Sequence, residues 1–205
     1  MATSLGMRVL KNDPPRQRRG EEGFVELATL AHECDFISFH TPLVRKGENP
    51  TFHLANKTFF DSLQQKPLII NTSRGEVIDT AAFKEALLNG QVADGVIDVW
   101  ENEPHIDLEL LEKLFISTPH IAGYSADGKA NATRMALDAV ARFFHLTPSW
   151  NIEAPALPPR IYSADKEKAF LELYNPMRDS NWLKESPDQF EEFRENYPLR
   201  REFIE

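Results

Sequence analysis

The chain has 205 residues, 41% of them hydrophobic, and a formal net charge of −9. That balance leaves enough apolar material for one good-sized core plus a smaller unit, and it argues against a nucleic-acid binder, which needs a broad basic face. No apolar run approaches the ~20 residues that a membrane span requires, and the opening residues lack the charged and apolar regions of a signal peptide. Cys34 stands alone, so no internal disulfide forms, and a reducing, cytoplasmic setting is expected.

In chain order, Met7–Leu10 reads as a short strand stopped by Pro14 and Pro15, with Asp13 at its tip. Residues 14–24 are polar and read as loop. Val25–Ala31 has the apolar spacing of an amphipathic helix, and Phe36–Phe39 reads as a strand running into His40-Thr41-Pro42. Asn56 is a helix cap, and Pro67–Asn71 is a continuous apolar run of the kind buried on both faces of a sheet. Asp79 opens a helix to Leu88, with Gly90 as its stop. Ala93–Val99 is the next strand, Asp107 starts a helix, and Phe115–Ser117 is a last short strand. A long helix follows from Ser125 to about Leu146.

Strands alternating with helices predict an α/β fold with a parallel sheet, whose ligands gather at the carboxyl ends of the strands. Asp13, Thr41, Asn71 to Arg74, Asp98 and His120 all closely follow predicted strands. Four prolines, at 148, 155, 158 and 159, then mark a linker over 148–160. It separates a nucleotide-binding region, 1–147, from a C-terminal segment, 161–205, with charged amphipathic helices at Lys166–Tyr174 and Asp188–Tyr197. That segment is small for an independent core and reads as a docking or dimerisation appendage.

Three residues carry the chemistry. Arg74 in Asn71-Thr72-Ser73-Arg74-Gly75 is a permanent cation able to grip a carboxylate with two hydrogen bonds. His120 in Thr118-Pro119-His120-Ile121-Ala122-Gly123 can take a hydroxyl proton. Glu103, before Pro104, can orient that imidazole and stabilise its charged form; Glu101 competes for this role, but spacing to His120 favours Glu103. The remaining histidines show no ligand spacing, so no metal is expected. His40 reads as structural at a strand end, and His32, His53, His105 and His145 as exposed.

These motifs, in this order, with 29 positions from Arg74 to Glu103 and 17 from Glu103 to His120, resemble the D-2-hydroxyacid dehydrogenase family. Asn12–Arg16, Phe39–Leu43, Asp98–Glu101, Pro119–Tyr124 and the stretch from Met177 to Phe203 are similar to its erythronate-4-phosphate dehydrogenase branch. The resemblance implies a partial Rossmann-type sheet and NAD as cofactor. Asp13 is matched to the adenosine ribose, which favours NAD over NADP. Thr41, Thr72, Ser73, Arg74, Asp98 and Gly123 are matched to cofactor-contacting positions and Tyr124 to a substrate-contacting one. It further implies oxidation of 4-phospho-D-erythronate to the 2-oxo acid, within pyridoxal phosphate synthesis, by a homodimer using Arg74, Glu103 and His120.

The chain departs from the family in holding no G-x-G-x-x-G phosphate loop; its nine glycines are scattered. An N-terminally incomplete enzyme, lacking the central first strand, is therefore expected. Two alternatives stand beside it: another family member, such as a phosphoglycerate dehydrogenase, and a non-catalytic remnant or interaction subunit.

Overall fold

The computed structural model describes residues 2–156 and 163–202, so residues 157–160 of the expected linker lie outside the described residues. The chain divides into two compact units, Met1–Ser117 and Thr118–Glu205.

The first unit is built on a four-stranded, all-parallel sheet in the order β1 (Phe36–Phe39), β2 (Leu68–Asn71), β3 (Asp94–Ile97), β4 (Ile116–Ser117). Its register aligns Phe39, Asn71, Ile97 and Ser117 in one row. All four strands therefore end together, and the residues that follow them leave from a single edge. That edge is where a parallel sheet places ligands.

The crossovers are short helices, most of them opened by a side chain named by the sequence. Helix α1 (Pro14–Arg18) is capped by Asp13, whose carboxylate accepts from the Arg16 amide at 3.0 Å. Helix α2 (Leu27–Glu33) precedes β1. Asn56 caps α3 (Lys57–Asp61), Asp79 caps α4 (Thr80–Leu88) and Asp107 caps α5 (Leu108–Lys113), each through its side-chain oxygen. Such a cap satisfies orphan amide donors and is worth about 1 kcal/mol. Gly90, at φ +67, takes the left-handed turn after α4.

The core beside the sheet is aromatic. Phe60 stacks on Phe83 at 5.6 Å, joining α3 to α4, and Phe59 meets Phe39 of β1 edge-on at 6.0 Å. Each such ring stabilises the fold by roughly 2–3 kcal/mol on burial. Gly95 in β3 leaves room for this packing: a Cβ there would lie 2.6 Å from Leu114 Cδ2.

Three sequence expectations change. Met7–Leu10 joins no ladder, and Met7 and Val9 are exposed. An extended segment becomes a strand only when a neighbour pairs its backbone, and none of the described strands does so. The segment is instead tied where Asn12 Nδ2 and the Val25 amide exchange hydrogen bonds with the Val25 and Lys11 carbonyls. Residues 14–18 are helix rather than loop. In β2, Ile69 and Asn71 are buried while Leu68 and Ile70 are half-buried, so only one face is fully covered.

The second unit opens with the His120 turn, then α6 (Ala126–Phe144), capped by Ser125. Helices α7 (Lys166–Leu173), α8 (Pro176–Glu185) and α9 (Phe190–Glu195) follow. Helix α8 was not expected from the sequence. Leu183 and Phe190 are fully buried, and Trp182 stacks on Phe193 at 3.9 Å. No helix among the described residues is long and apolar enough to cross a membrane.

Candidate active site

The turn after β2 is assembled by one buried amide. Asn71 Nδ2 donates to the Arg74 carbonyl at 2.9 Å, and Asn71 Oδ1 accepts from the Ser73 amide and hydroxyl at 3.1 and 2.8 Å. The Asn71 carbonyl in turn accepts from the Asp98 amide at 3.0 Å, joining this turn to the end of β3. Arg74 stands exposed at the tip, with one guanidinium nitrogen on the Ser73 carbonyl at 2.6 Å. Among the described residues no carboxylate pairs with it. In a chain whose arginines mostly hold an acid, this one keeps its charge available to an anion.

Gly75 sets how closely that turn approaches the next. A Cβ at this position would lie 2.0 Å from the carbonyl carbon and oxygen of Trp100. Only glycine lets the two backbones touch, which fixes the Arg74 turn against the Trp100–Glu103 turn. There Glu103 accepts from the Trp100 amide at 2.8 Å and is half-buried.

Glu101 and Glu103 differ in their partners. Glu101 spends one oxygen on His53 Nε2, at 2.7 Å, and the other on the Thr80 amide, at 2.9 Å. It is a structural acid. His53 is therefore not exposed as expected: it lies half-buried between Glu101 and Asp79, stacked on Phe52, at φ +50. It ties the loop after β1 to the turns carrying Arg74 and Glu103. No sequence signal marks it, because neither the positive φ nor the approach of residue 101 is readable locally. His40 is held by Ser38 Oγ at 2.8 Å, in keeping with a structural role at the strand end.

Of the candidate cofactor residues of this unit, Thr41, Thr72, Ser73 and Asp98 follow the carboxyl ends of β1, β2 and β3. Thr41 follows β1, and its hydroxyl oxygen is buried with no hydrogen-bond partner among the described residues. Asp98 is buried at the end of β3, and Thr72 is half-buried beside Ser73. Asp13 uses one carboxylate oxygen as a cap and keeps the other for a further donor. A buried hydroxyl without a partner costs stability unless a ligand supplies one, so Thr41 fits a dinucleotide contact. The sequence offers no glycine-rich turn for a pyrophosphate.

His120, Gly123 and Tyr124 belong to the second unit. His120 follows the end of β4 by three positions and adopts φ +54. Gly123 borders open space. Tyr124 meets Tyr197 edge-on at 5.9 Å and lies under Lys129, whose Nζ is 4.1 Å from the ring. The Tyr197 hydroxyl donates to buried Asp179 at 2.7 Å, and burial beside that carboxylate pushes it up to about 12. No cluster of metal-binding side chains occurs among the described residues.

Residues 1–122 match the model of the D-isomer specific 2-hydroxyacid dehydrogenase, NAD binding domain, family. The chain belongs to this family. Its cofactor is NAD, and its parallel sheet is the Rossmann type expected from the sequence. The chain is 57% identical over 204 residues to an erythronate-4-phosphate dehydrogenase of Bacteroides thetaiotaomicron, and 41% identical over 212 residues to one of Porphyromonas gingivalis; each comparison covers 98% of this chain. It spans 59% and 58% of those two relatives' own lengths. Among solved structures it is similar to the D-lactate dehydrogenase of Aquifex aeolicus complexed with NAD and lactic acid, at TM-score 0.54 and 27% identity, over 70% of this chain and 47% of that one.

Proposed function

We propose that this chain carries the cofactor-binding and catalytic residues of an NAD-dependent dehydrogenase that oxidises 4-phospho-D-erythronate to its 2-oxo acid. The single observation that carries the reading is Arg74: a guanidinium with no carboxylate partner among the described residues, at the carboxyl end of β2, on a turn locked by Asn71 and Gly75. Such a group grips a substrate carboxylate through two charge-assisted hydrogen bonds and polarises the adjacent carbon. His120 accepts the hydroxyl proton as that carbon gives up its hydride, and Glu103 steadies the resulting imidazolium. Bound NAD supplies the hydride acceptor.

Asp13 would hold the adenosine ribose, and Thr41, Thr72, Ser73, Asp98 and Gly123 would contact the rest of the dinucleotide. Tyr124 would line the substrate site. The names of the two relatives support the phosphorylated hydroxy acid as substrate; such a reaction would serve pyridoxal phosphate synthesis in the cytoplasm. The apolar residues exposed on and after α6, among them Met135, Phe143, Phe144 and Leu146, support a homodimer.

The test is NADH formation by the purified chain supplied with NAD and 4-phosphoerythronate, alongside His120→Ala. NADH formation that falls by about 10²–10⁴-fold in the variant is expected. A second reading, a non-catalytic interaction subunit, is favoured by the apolar residues exposed on α6. Folded protein that neither binds NAD nor forms NADH would establish that reading instead.

A further inference from the structure

We propose that residues 198–202 act as a strap that fixes the His120 turn, with Arg200 as its positioning residue. The proposal rests on the reading of His120 as the base, and it assigns the C-terminal segment a role beyond docking.

His120 sits at φ +54, in the left-handed region that few residues other than glycine adopt. The strap braces the turn on its C-terminal side. Arg200 reaches back with one guanidinium nitrogen and donates to the carbonyls of Ile121, at 2.9 Å, and Ala122, at 3.1 Å. These are the two carbonyls directly after His120. The guanidinium is stacked 4.2 Å over Tyr174, which sets its plane, and among the described residues it pairs with no carboxylate. Its charge is thus directed at backbone oxygens.

The strap itself is anchored at three further points along the start of α6. The Ala126 amide donates to the Arg200 carbonyl at 2.8 Å. Arg201 clasps both Asp127 oxygens at 2.8 Å, and the Glu202 amide adds a third donor to Asp127 at 2.8 Å. Ser125 Oγ donates to Glu202 at 2.7 Å while accepting from the Gly128 amide at 2.9 Å. Gly128 makes the close approach possible, since a Cβ there would lie 2.8 Å from Ser125 Oγ. Every residue from 200 to 202 therefore bonds to the segment 121–127. A tail serving only as an interface has no need to place a guanidinium nitrogen on the carbonyls of the two residues that follow the base.

The experiment is amide hydrogen exchange on the full chain, with and without Arg200→Ala, paired with the pH titration of the His120 imidazole by NMR. The amides of Tyr124 and Ala126, which donate to Ile121 and to Arg200, report the strap. In Arg200→Ala their exchange is expected to rise about tenfold or more, while β2 and β3 amides keep their protection. The His120 resonance is expected to move, and Arg200→Lys to restore most of both signals. Should Arg200→Ala fail to fold, Asp127→Asn loosens the same strap and is expected to raise exchange at Ala126. Unchanged exchange at Tyr124 and Ala126 in a folded variant would overturn the strap. Turnover separates the two proposals. A kcat that falls in Arg200→Ala with the KM for NAD unmoved supports positioning, whereas an inactive parent chain counts against the proposed function and leaves exchange to decide the strap.

Discussion

Asn71 and Arg74 are bound to each other across a turn three positions apart, the Asn71 side-chain amide donating to the Arg74 carbonyl at 2.9 Å. The side chain that shapes the turn is itself buried, and its oxygen also holds Ser73 twice. Replacing it with leucine keeps approximate volume but strands the Arg74 carbonyl and the Ser73 amide and hydroxyl. A loss of about 2–4 kcal/mol is expected, since each buried group left unpaired costs about 1–3 kcal/mol. Urea unfolding of Asn71→Leu measures it, and a change below half a kcal/mol would show that the turn holds without the amide.

Gly75 gives the second expectation. Adding one methyl group puts a carbon 2.0 Å from the Trp100 carbonyl, so the Arg74 turn and the Trp100–Glu103 turn must separate. Overpacking of this kind costs about 1–3 kcal/mol, and here it also moves Arg74 from Glu103. Gly75→Ala is expected to lose both stability and 4-phosphoerythronate turnover, whereas Gly23→Ala, in open space at φ +84, strains only its own backbone.

The two acids of the Trp100–Glu103 turn should separate by readout. Glu101→Gln weakens the links to His53 and Thr80 and is expected to lower thermal stability while leaving the pH profile of turnover in place. Glu103→Gln is expected to do the reverse: modest stability loss, with kcat reduced by about tenfold or more and its pH dependence shifted. Matching profiles for the two variants would undo the assignment of Glu103.

Asp127 sets an acid limit for the second unit. The Arg201 guanidinium, hydrogen-bonded to both its oxygens, holds its carboxyl down from 3.8 to about 2. A carboxylate with a depressed native value stabilises fully above its unfolded value and loses that contribution as pH falls through the native one. The unit is therefore expected to weaken between about pH 4 and pH 2, by about 1–2 kcal/mol once solvent screening of this surface pair is allowed for. Unfolding of Asp127→Asn, followed from pH 5 to pH 2, should show that slope flattened.

Much of this was legible because single residues carried it. Asn56, Asp79, Asp107 and Ser125 each cap the helix that their position promised, since a short polar side chain before an apolar run satisfies orphan amides wherever it occurs. The two helices that escaped notice share one overlooked signal. Asp13-Pro14 and Asn175-Pro176 both place a cap before a proline at the first helical position, where its missing amide costs nothing. Met7–Leu10 failed as a strand because pairing is a property of neighbours rather than of the segment. His53 and the 198–202 strap were hidden for a related reason: both depend on contacts between residues 48 to 79 positions apart.

The most direct measurement of the central claim is the kinetics of Arg74→Lys with NAD and 4-phosphoerythronate. Lysine keeps the charge but loses the planar fork. If Arg74 grips the substrate carboxylate, kcat/KM for 4-phosphoerythronate should fall by about 10- to 100-fold while the KM for NAD stays close to that of the parent chain. Near-parental kinetics in this variant would contradict the role assigned to Arg74 and the account built on it.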